Sequence, residues 1–438
     1  MLTEEGVLKT NYKINPSVTL ILFTGSYPYD IKLEQTFIST EIEYLASTFD
    51  RMFIIPGKLG GKKHTVPAGV EVEESYAITN QSELSRIKLH SKVLFSKISY
   101  EELLVRPSIL IQPVARRKME TFINQADLTR KWVVDFIESR KLYQTHCIFY
   151  TYWFGQATLG IGLAKKYYPQ IKLISRAHGI DLYEERHKPA YIPCRQKSLS
   201  FLDGLFLISE NGRNYIAHKY PQFSPLCRIS RLGVRDPGFV TSCSRDGIFR
   251  IVSCSLMLPV KRLDLLLEGI ACAAKLRPEQ QFEWNHIGDG PLKTYIEDIA
   301  HRILPVNIKS RFVGYLPNDH VLLFYKNNSV DLFMNVSEYE GIPVSVMEAI
   351  SCGIPVVATS VGGTPEIVSD QNGRLLSSNP TPEEIALSIL SILDNPDLAL
   401  NKRKESRRIW QEKFNADINF QTFANLVRSL VPQLGKVG

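Results

Sequence analysis

The sequence predicts an α/β protein with two Rossmann-like domains, each containing a doubly wound parallel sheet. Three observations support this prediction. The chain has 438 residues, which is too long for one ordinary hydrophobic core. Short, β-favouring apolar runs alternate with helical patterns in two successive series. A stretch rich in Pro, Gly and Ser at 235–247 separates the series, so we expect domains over 1–238 and 239–409.

The first series opens with a βαβ pattern, which is typical of half a doubly wound sheet. It comprises a buried strand at 18–24, an amphipathic helix at 34–49 and a strand at 52–55. Further strands are expected at 69–75, 146–151, 172–177 and 204–208. In such sheets ligands bind at the carboxyl ends of the strands.

The second series repeats the alternation and therefore predicts a second parallel sheet. Its strands are expected at 249–254, 282–287 and 311–313, and its helices at 261–276, 292–302 and 319–326. The turn at Gly288 and Gly290 follows one of these strands. Residues 399–431 are also expected to be helical.

Two glutamates, Glu340 and Glu348, stand eight positions apart around a helix start. A strand is expected at 330–336 and a helix at 344–352, with Gly353 as its C′ residue. Helical rise over that spacing separates the carboxylates by roughly 12 Å, on about the same side. The free N–H groups and the positive dipole end between them favour a phosphate. The spacing therefore suits a nucleotide-sugar, with the sugar near one carboxylate and the ribose near the other.

The turn into this helix supplies further candidate donor-binding residues. They are Gly341, Ile342, Pro343 and Val344, and Pro343 stands where the helix should begin. A strand at 354–359 follows the helix, and a glycine turn with the sequence Gly-Gly-Thr-Pro-Glu opens another short helix. We expect Thr364 to cap that helix.

This block resembles the family-four retaining glycosyltransferases, which belong to the glycosyl transferases group 1 and have the two-domain GT-B fold. Their signature is a glutamate, seven residues and a second glutamate, followed by an alanine, an apolar strand and a glycine-rich loop. Here these residues are Glu340, Glu348, Ala349, the strand at 354–359 and the glycine turn at 362–366. The resemblance covers most of the chain and is strongest over 249–376.

The resemblance implies that the two domains face each other across a cleft. The first domain would bind the acceptor and the second the nucleotide-sugar donor, and a last helix, 410–438, would cross back onto the first domain. His178 matches a histidine that lies near the donor sugar. Gly25 follows the first strand, where the family has a glycine-rich loop facing the diphosphate and acceptor, although the usual Gly-Gly pair is absent here.

The family also binds the diphosphate with an arginine and a lysine. Lys261 matches the lysine, whereas Ser255 stands at the arginine position. We therefore expect Lys261 to be the main cation, with Arg262 as a substitute for the missing arginine. Gly288 and Gly290 form a turn where the nucleotide base would pack.

Three functions follow from these residues. The first is a retaining glycosyltransferase, in which Lys261 and helix N–H groups stabilise the leaving diphosphate, Glu340 holds the sugar and Glu348 the ribose. The second is a nucleotide-sugar 2-epimerase on the same fold, and the third is a non-catalytic two-domain sugar-binding protein. The resemblance favours the transferase, and it implies a glycan or lipid-linked glycan acceptor in cell-surface polysaccharide or lipid-linked glycan synthesis.

Composition limits the partners. The net charge is +7, and many basic residues lie at 84–141, including Arg116, Arg117 and Lys118. That segment is interpreted either as an amphipathic basic helix on an anionic membrane or as an ordinary surface helix. No module typical of nucleic-acid binding is present, so no nucleic-acid partner is expected. No Asp-x-Asp pair occurs, so no metal site or cofactor is expected.

The compartment is expected to be the cytoplasm, or the inner face of the membrane for a peripheral protein. The seven cysteines are scattered and show no CxxC spacing, which is typical of a reducing environment. Residues 1–16 contain no apolar segment of the signal-peptide kind, and no apolar run approaches the ~20 residues of a spanning helix.

Overall fold

The computed structural model of this chain describes residues 15–31, 34–82 and 96–431. The chain forms two compact units. The first is Met1–Ser230 together with Phe420–Gly438, and the second is Arg231–Asn419. Each unit contains one parallel sheet with helices, so the predicted fold class of two doubly wound α/β domains is confirmed.

The first unit contains seven described strands. They are β1 (Asn15–Thr24), β2 (Arg51–Pro56), β3 (Val70–Val72), β4 (Thr145–Thr151), β5 (Lys172–Ala177), β6 (Gly204–Leu207) and β7 (Cys227–Ile229). They lie in the order β3-β2-β1-β4-β5-β6-β7, and their pairs are parallel. Chain order reverses between β1 and β4, which is the switch point where doubly wound sheets open a crevice.

The helices of the first unit cover both faces of this sheet. They are α1 (Glu34–Thr48), α2 (Ser75–Gln81), α3 (Lys97–Val105), α4 (Pro113–Ser139), α5 (Gln156–Ala164), α6 (Arg195–Leu199) and α7 (Glu210–Lys219). Neighbouring residues of β1 enter different core clusters, Ile21 and Phe23 in one and Leu20 and Leu22 in the other. This alternation is what a strand buried on both faces requires.

The second unit contains six described strands. They are β8 (Ile248–Cys254), β9 (Gln281–Ile287), β10 (Ile308–Gly314), β11 (Leu332–Asn335), β12 (Val356–Thr359) and β13 (Gly373–Leu376). They lie in the order β10-β9-β8-β11-β12-β13 and their pairs are parallel. The switch point of this sheet therefore lies between β8 and β11.

The helices of the second unit follow the predicted alternation. They are α8 (Leu263–Leu276), α9 (Lys293–Ile303), α10 (Asn318–Asn327), α11 (Val344–Ser351), α12 (Pro382–Leu393) and α13 (Pro396–Ile409). Gly353 follows α11 with a φ of +71°, which confirms it as the C′ residue. Helix α12 lies outside the predicted elements, although Thr381 accepts a hydrogen bond from the Glu384 N–H and Pro382 occupies the first turn.

The last helical region is interrupted. A π-helical turn, Trp410–Phe414, follows α13, and Asn415 then separates it from α14 (Ala416–Arg428). The two units divide within α14, after Asn419. Phe423 of α14 belongs to a core cluster of the first unit.

Several local predictions need correction. The strand expected at 69–75 is limited to β3, because Ser75 already begins helix α2. Thr364 does not cap a helix with its side chain, because it is itself the first residue of a 3-10 turn preceded by Gly363. In the basic segment 84–141, residues 84–95 lie outside the described residues, and the remainder contains α3, a 3-10 turn and α4.

Candidate functional site

The loops after β8 and β11 bring the predicted residues of the second unit together. β8 and β11 are paired neighbours at the switch point, so their carboxyl ends lie side by side. The loop after β8 carries Ser255 and Lys261, and the loop after β11 carries Glu340. This is the position at which an open α/β sheet binds its ligand.

Lys261 and Glu340 form an ion pair at this switch point. The Lys261 ammonium donates to Glu340 Oε1 at 2.6 Å, and the two side chains are only 22% and 12% exposed. Asn335, the last residue of β11, donates through Nδ2 to the same oxygen at 3.3 Å. A carboxylate with these donors is held in one orientation. The two groups predicted to act on the sugar and the diphosphate are therefore in direct contact.

The backbone of the Glu340 loop forms hydrogen bonds with two neighbouring loops. The Glu338 N–H donates to the Val260 carbonyl at 2.8 Å, which ties it to the loop after β8. The Gly363 N–H donates to the Gly341 carbonyl at 2.8 Å. Gly362 has a φ of +54°, and a Cβ there would lie 1.9 Å from the Glu340 carbonyl oxygen. The glycine turn after β12 therefore works as a close support for the loop that carries Glu340.

Arg262 does not take the place of the missing arginine. Its guanidinium donates to the main-chain carbonyls of Val336, Ser337 and Ser378 at 2.7 to 3.0 Å. Its backbone has a φ of +46°, in the left-handed region that strains a residue with a side chain. This left-handed residue separates the 3-10 turn that ends at Lys261 from α8, which begins at Leu263. Arg262 thus stabilises the two loops and leaves Lys261 as the predicted cation at the switch point.

Helix α11 begins directly after the Glu340 loop. Pro343 occupies the capping position and Val344 is the first helical residue, as predicted. Gly341 and Val344 are partly exposed, whereas Ile342 is 6% exposed and anchors the turn in the core. The first N–H groups of the helix have no acceptor within it and carry the positive end of its dipole. An anion beside Lys261 would be near these donors.

Glu348 is buried inside α11. The residue is 5% exposed, and Oε1 accepts a hydrogen bond from Asn318 Nδ2 at 2.8 Å. Burial is the largest cause that raises the pKa of this carboxyl, to about 8, and the nearby Asp319 adds to the rise. At neutral pH the group is therefore mainly a neutral carboxyl, not the carboxylate expected from the sequence. Asn318, its partner at the start of α10, was not among the predicted residues.

The glycines after β9 are required by close backbone contacts. Gly288 has a φ of +144°, and a Cβ there would lie 1.9 Å from the Ser255 carbonyl oxygen. Gly290 has a φ of +157°, and its Cβ would meet the backbone of Met257 at 2.8 Å. The turn thus packs directly on the loop that carries Ser255, so these residues form one wall beside the switch point.

In the first unit, the loop after β1 forms a nest, in which successive backbone N–H groups point at one position. The N–H groups of Gly25, Ser26 and Tyr27 donate to the Glu34 carboxylate at 2.7, 2.6 and 2.9 Å. Trp153, which follows β4, donates through Nε1 to the same carboxylate at 2.6 Å. Gly25 therefore offers its N–H to Glu34 and not to a diphosphate, which corrects the expectation for this loop.

His178 follows β5 and lies in an aromatic setting. Its ring centroid is 4.4 Å from that of Trp153 and 4.7 Å from that of Tyr152. Nδ1 is 3.6 Å from Asp181 Oδ2, and among the described residues neither ring nitrogen has a hydrogen-bond partner. Burial opposes ionisation of Asp181, but the nearby His178 side chain and hydrogen bonds from the backbone N–H groups of Phe154 and His178 lower its pKa. The His178 ring thus lies beside the Asp181 carboxylate and retains hydrogen-bonding capacity.

Two adjoining cavities open at this edge of the first sheet, and both are bounded by Trp153. The first, of about 470 Å³, is lined by Phe23, Glu34, Tyr76, Asn80 and Gln156 among others. The second, of about 560 Å³, is lined by Arg117, Lys118, Phe122 and Tyr191 among others. The first cavity has aromatic walls with amide groups, the Glu34 carboxylate and the exposed Lys58, whereas the second has two cationic side chains, Arg117 and Lys118.

Within residues 15–31, 34–82 and 96–431, no three His, Cys, Asp or Glu side chains form a group that could hold a metal ion. The seven cysteines are all unpaired. Among the helices that the structure describes, none combines the length and the apolar character needed to span a membrane.

Glu34 and Trp153 are the main residues that the sequence did not reveal. An acidic residue in the first turn of a helix is a common capping pattern, and Glu34 stands nine positions after Gly25. That pattern could have pointed to Glu34. Trp153 lies 119 positions from Glu34, so only the pairing of β1 with β4 brings them together.

Comparison with known proteins finds a family match within the second unit. Residues 245–410 match the family described as glycosyl transferases group 1. The chain is 27% identical over 267 residues to the putative colanic acid biosynthesis glycosyltransferase WcaL of Escherichia coli, covering 59% of this chain and 64% of that protein. It is 24% identical over 210 residues to the amylovoran biosynthesis glycosyltransferase AmsK of Erwinia amylovora, covering 46% of this chain and 50% of that protein.

The whole fold is also found among solved structures. Anabaena Alr3699/HepE, solved in complex with UDP and glucose, superposes with a TM-score of 0.60 at 18% identity and covers 94% of this chain and 100% of that one. At this identity the likeness concerns the fold. The chain spans less than two thirds of the length of the curated relatives named above.

Proposed function

We propose that the protein, whose residues 245–410 match the glycosyl transferases group 1 family, transfers a sugar from a nucleoside-diphosphate sugar to an acceptor hydroxyl. The observation that carries this proposal is the Lys261–Glu340 pair at the switch point of the second sheet, 2.6 Å apart and beside the start of α11. A cation, a carboxylate and free helix N–H groups at one position suit a diphosphate joined to a sugar.

The donor would lie along the loop that carries Glu340. Its diphosphate would accept from the Lys261 ammonium and the first N–H groups of α11, and its sugar hydroxyls would donate to Glu340. The ribose would lie toward Glu348, and the base toward the wall at Gly288 and Gly290. Because Arg262 is engaged by main-chain carbonyls, Lys261 and the helix N–H groups would stabilise most of the charge on the leaving diphosphate.

We further propose a retaining, metal-independent reaction of the family-four type. Glu340 is held by Lys261 and Asn335, which favours binding of the donor sugar over removal of a proton. The leaving phosphate would accept the proton of the acceptor hydroxyl on the same face of the sugar. In the first unit, His178 is the proposed participant, because its ring lies beside Asp181 and a ring N–H could donate to a substrate oxygen.

The proposed acceptor is a glycan, either free or lipid-linked, in cell-surface polysaccharide synthesis. Support comes from the names of two relatives, glycosyltransferases of colanic acid and of amylovoran biosynthesis, which this chain matches over 59% and 46% of its length. The donor base is open, and the neighbour solved with UDP makes UDP-sugars the first donors to test.

Peripheral contact with an anionic membrane is also proposed, at the start of α4. Leu110, Ile111 and Val114 are 59%, 83% and 60% exposed, and Arg116 and Arg117 follow on the exposed surface. Apolar side chains beside cations suit an anionic lipid surface. Sedimentation with phosphatidylglycerol vesicles should weaken in Ile111→Asp and persist in Leu387→Asp, a control that alters another exposed apolar residue, in the second unit (61%). Equal sedimentation of both variants would contradict this contact.

The test of function begins with binding and ends with turnover. Thermal-shift assays with UDP-, GDP- and ADP-sugars would identify the donor, since a bound ligand stabilises the folded protein. Turnover would then be measured for wild type, Glu340→Gln and Glu338→Gln. Glutamine at 340 can still accept from Lys261, so the fold should survive while turnover falls at least about 100-fold. Glu338, exposed on the same loop, is the matched control and should retain wild-type turnover.

Two outcomes would overturn the assignment. Unchanged turnover in Glu340→Gln would remove this carboxylate from the reaction. Conversion of the donor sugar to its 2-epimer without acceptor would instead identify an epimerase. The anomeric configuration of the product, measured by NMR, tests retention separately.

A further inference from the structure

The loop after β1 is an anion site that already holds an anion. Its three consecutive N–H groups, at Gly25, Ser26 and Tyr27, all donate to the Glu34 carboxylate within 2.9 Å. The Ser26 hydroxyl adds a longer contact of 3.3 Å. Convergent N–H groups of this kind bind phosphate or carboxylate groups. Because all three N–H groups donate to Glu34, they are not available to bind an anionic group of a substrate.

Glu34 also fixes a wall of the adjoining cavity. The indole N–H of Trp153 donates to Oε1 at 2.6 Å, so the carboxylate joins the loop after β1 to the loop after β4. These strands flank the switch point of the first sheet. Trp153 is half-buried and lines the cavity of about 470 Å³. The carboxylate thus determines both the charge and the shape of this cavity.

The chemistry of the cavity suits an uncharged sugar ring. Its volume of about 470 Å³ lies within the range of small-molecule sites, which are mainly apolar with a few polar groups that fix orientation. Phe23, Tyr76 and Trp153 supply aromatic surface, and Asn80 and Gln156 supply amides. Aromatic faces pack against the C–H faces of a pyranose, and amides bind its hydroxyls.

A phosphate in the same cavity would be disfavoured. The N–H groups that would bind it already donate to Glu34, and the carboxylate would repel it at short range in a partly enclosed site. The adjoining cavity differs, because Arg117 and Lys118 both line it, whereas the first cavity has one cation, the exposed Lys58, to balance the Glu34 carboxylate. The first unit therefore separates a subsite of balanced charge from a more cationic one, on either side of Trp153.

We propose that the cavity beside Glu34 binds the uncharged sugar ring of the acceptor, and that Glu34 makes it selective by filling the anion nest. The proposal rests on the transferase function and narrows the acceptor to one that presents a neutral pyranose at its reactive end. Any anionic part of the acceptor falls to Arg117 and Lys118. Glu34 is in this view a positioning residue that determines specificity through the loop and Trp153.

The first experiment measures binding of inorganic phosphate by phosphorus NMR line broadening, without donor or acceptor. Wild type, Glu34→Ala, Glu34→Gln and Glu43→Ala are compared, the last removing an exposed carboxylate from the same helix. In Glu34→Ala the nest is opened, so phosphate should bind at least tenfold more tightly than in wild type and in the Glu43 control. Glu34→Gln should behave similarly, because both Glu34 oxygens accept from N–H groups and one of them would become an NH₂ donor. Two donors that face each other repel, so the glutamine side chain should move out of the nest.

A folded Glu34→Ala or Glu34→Gln protein that binds phosphate no better than wild type overturns the proposal. If the alanine variant fails to fold, the glutamine variant, which preserves the side-chain shape, decides the question. Broadening that is already strong in wild type and is unchanged by both substitutions places phosphate elsewhere and also overturns it.

The second experiment tests the sugar, with saturation-transfer NMR on uncharged methyl hexopyranosides. At least one glycoside should receive saturation from wild type, lose it with Trp153→Ala and retain part of it with Trp153→Phe. If no glycoside shows transfer that depends on Trp153, the cavity is not a sugar site. Neither experiment uses a nucleotide-sugar. If no transferase turnover were found, the results of these two binding experiments would still be valid. Equally, a negative result in these binding experiments would not contradict the transferase function.

Discussion

Replacing Glu348 by glutamine should remove a pH dependence from the stability of the second unit. Glu348 is 5% exposed, and burial raises its pKa from the usual 4.5 to about 8. Between these values the folded protein keeps a proton that the unfolded chain has released. Stability must therefore fall as the pH rises through this window, by about 1.4 kcal/mol per pH unit. From pH 5 to pH 7 the wild type should lose about 2.5 kcal/mol that the glutamine variant keeps.

The substitution isolates the charge because the glutamine amide oxygen can still accept from Asn318 Nδ2, now 2.8 Å from Oε1. Hydrogen exchange measured by mass spectrometry on peptides of the second unit gives its free energy of opening separately from the first unit. Values at pH 5 and pH 7, corrected for intrinsic exchange rates, are compared with those of Glu338→Gln, an exposed carboxyl on the neighbouring loop. Parallel losses in wild type and Glu348→Gln would refute the inference of a buried neutral carboxyl.

Two further predictions concern close packing and buried charge. Gly362→Ala should weaken donor binding at least about tenfold in calorimetry, because its Cβ would lie 1.9 Å from the Glu340 carbonyl oxygen. The control is Gly314→Ala, where φ is +84° and a Cβ would meet no atom within 4 Å. This control should lose only about 1 kcal/mol of stability in thermal unfolding, from backbone strain. Equal donor affinity in both variants would contradict the supporting role of the turn. Glu41→Ala should destabilise the first unit by roughly 3–5 kcal/mol in urea unfolding, because it strands the Arg176 guanidinium, 0% exposed and 3.2 Å from the carboxylate. A loss below about 1 kcal/mol would show that the pair is not needed for stability.

Most of the fold was predictable because a strand buried on both faces and a helix packed on a sheet leave local apolar patterns. The strand expected at 249–254 is observed as Ile248–Cys254, and the helix expected at 344–352 as Val344–Ser351. Even Gly353 could be placed, since a helix that ends in the left-handed region selects glycine. The positions of Glu340 before that helix and Glu348 within it follow from the same local periodicity.

The pairing of polar groups was less predictable. Arg262 looked from the sequence like a phosphate ligand, yet three main-chain carbonyls from two other loops accept its hydrogen bonds. Glu348 was expected to be a carboxylate that holds the ribose, yet the surrounding core removes its side chain from water. In each case the outcome depends on which groups of distant segments reach the side chain, and a local pattern holds no information about them.

The sequence by itself determined the two α/β domains, the strand ends where ligands bind, and the glutamate spacing that led to a glycosyltransferase proposal. These features arise from burial and backbone preference, which act over a few neighbouring residues. Only the tertiary structure decided that Lys261 pairs with Glu340 across 79 positions and that Glu34 fills the nest beside Trp153. Hydrogen bonds and charges act over a few ångströms in space, so sheet pairing must first bring the strand ends together.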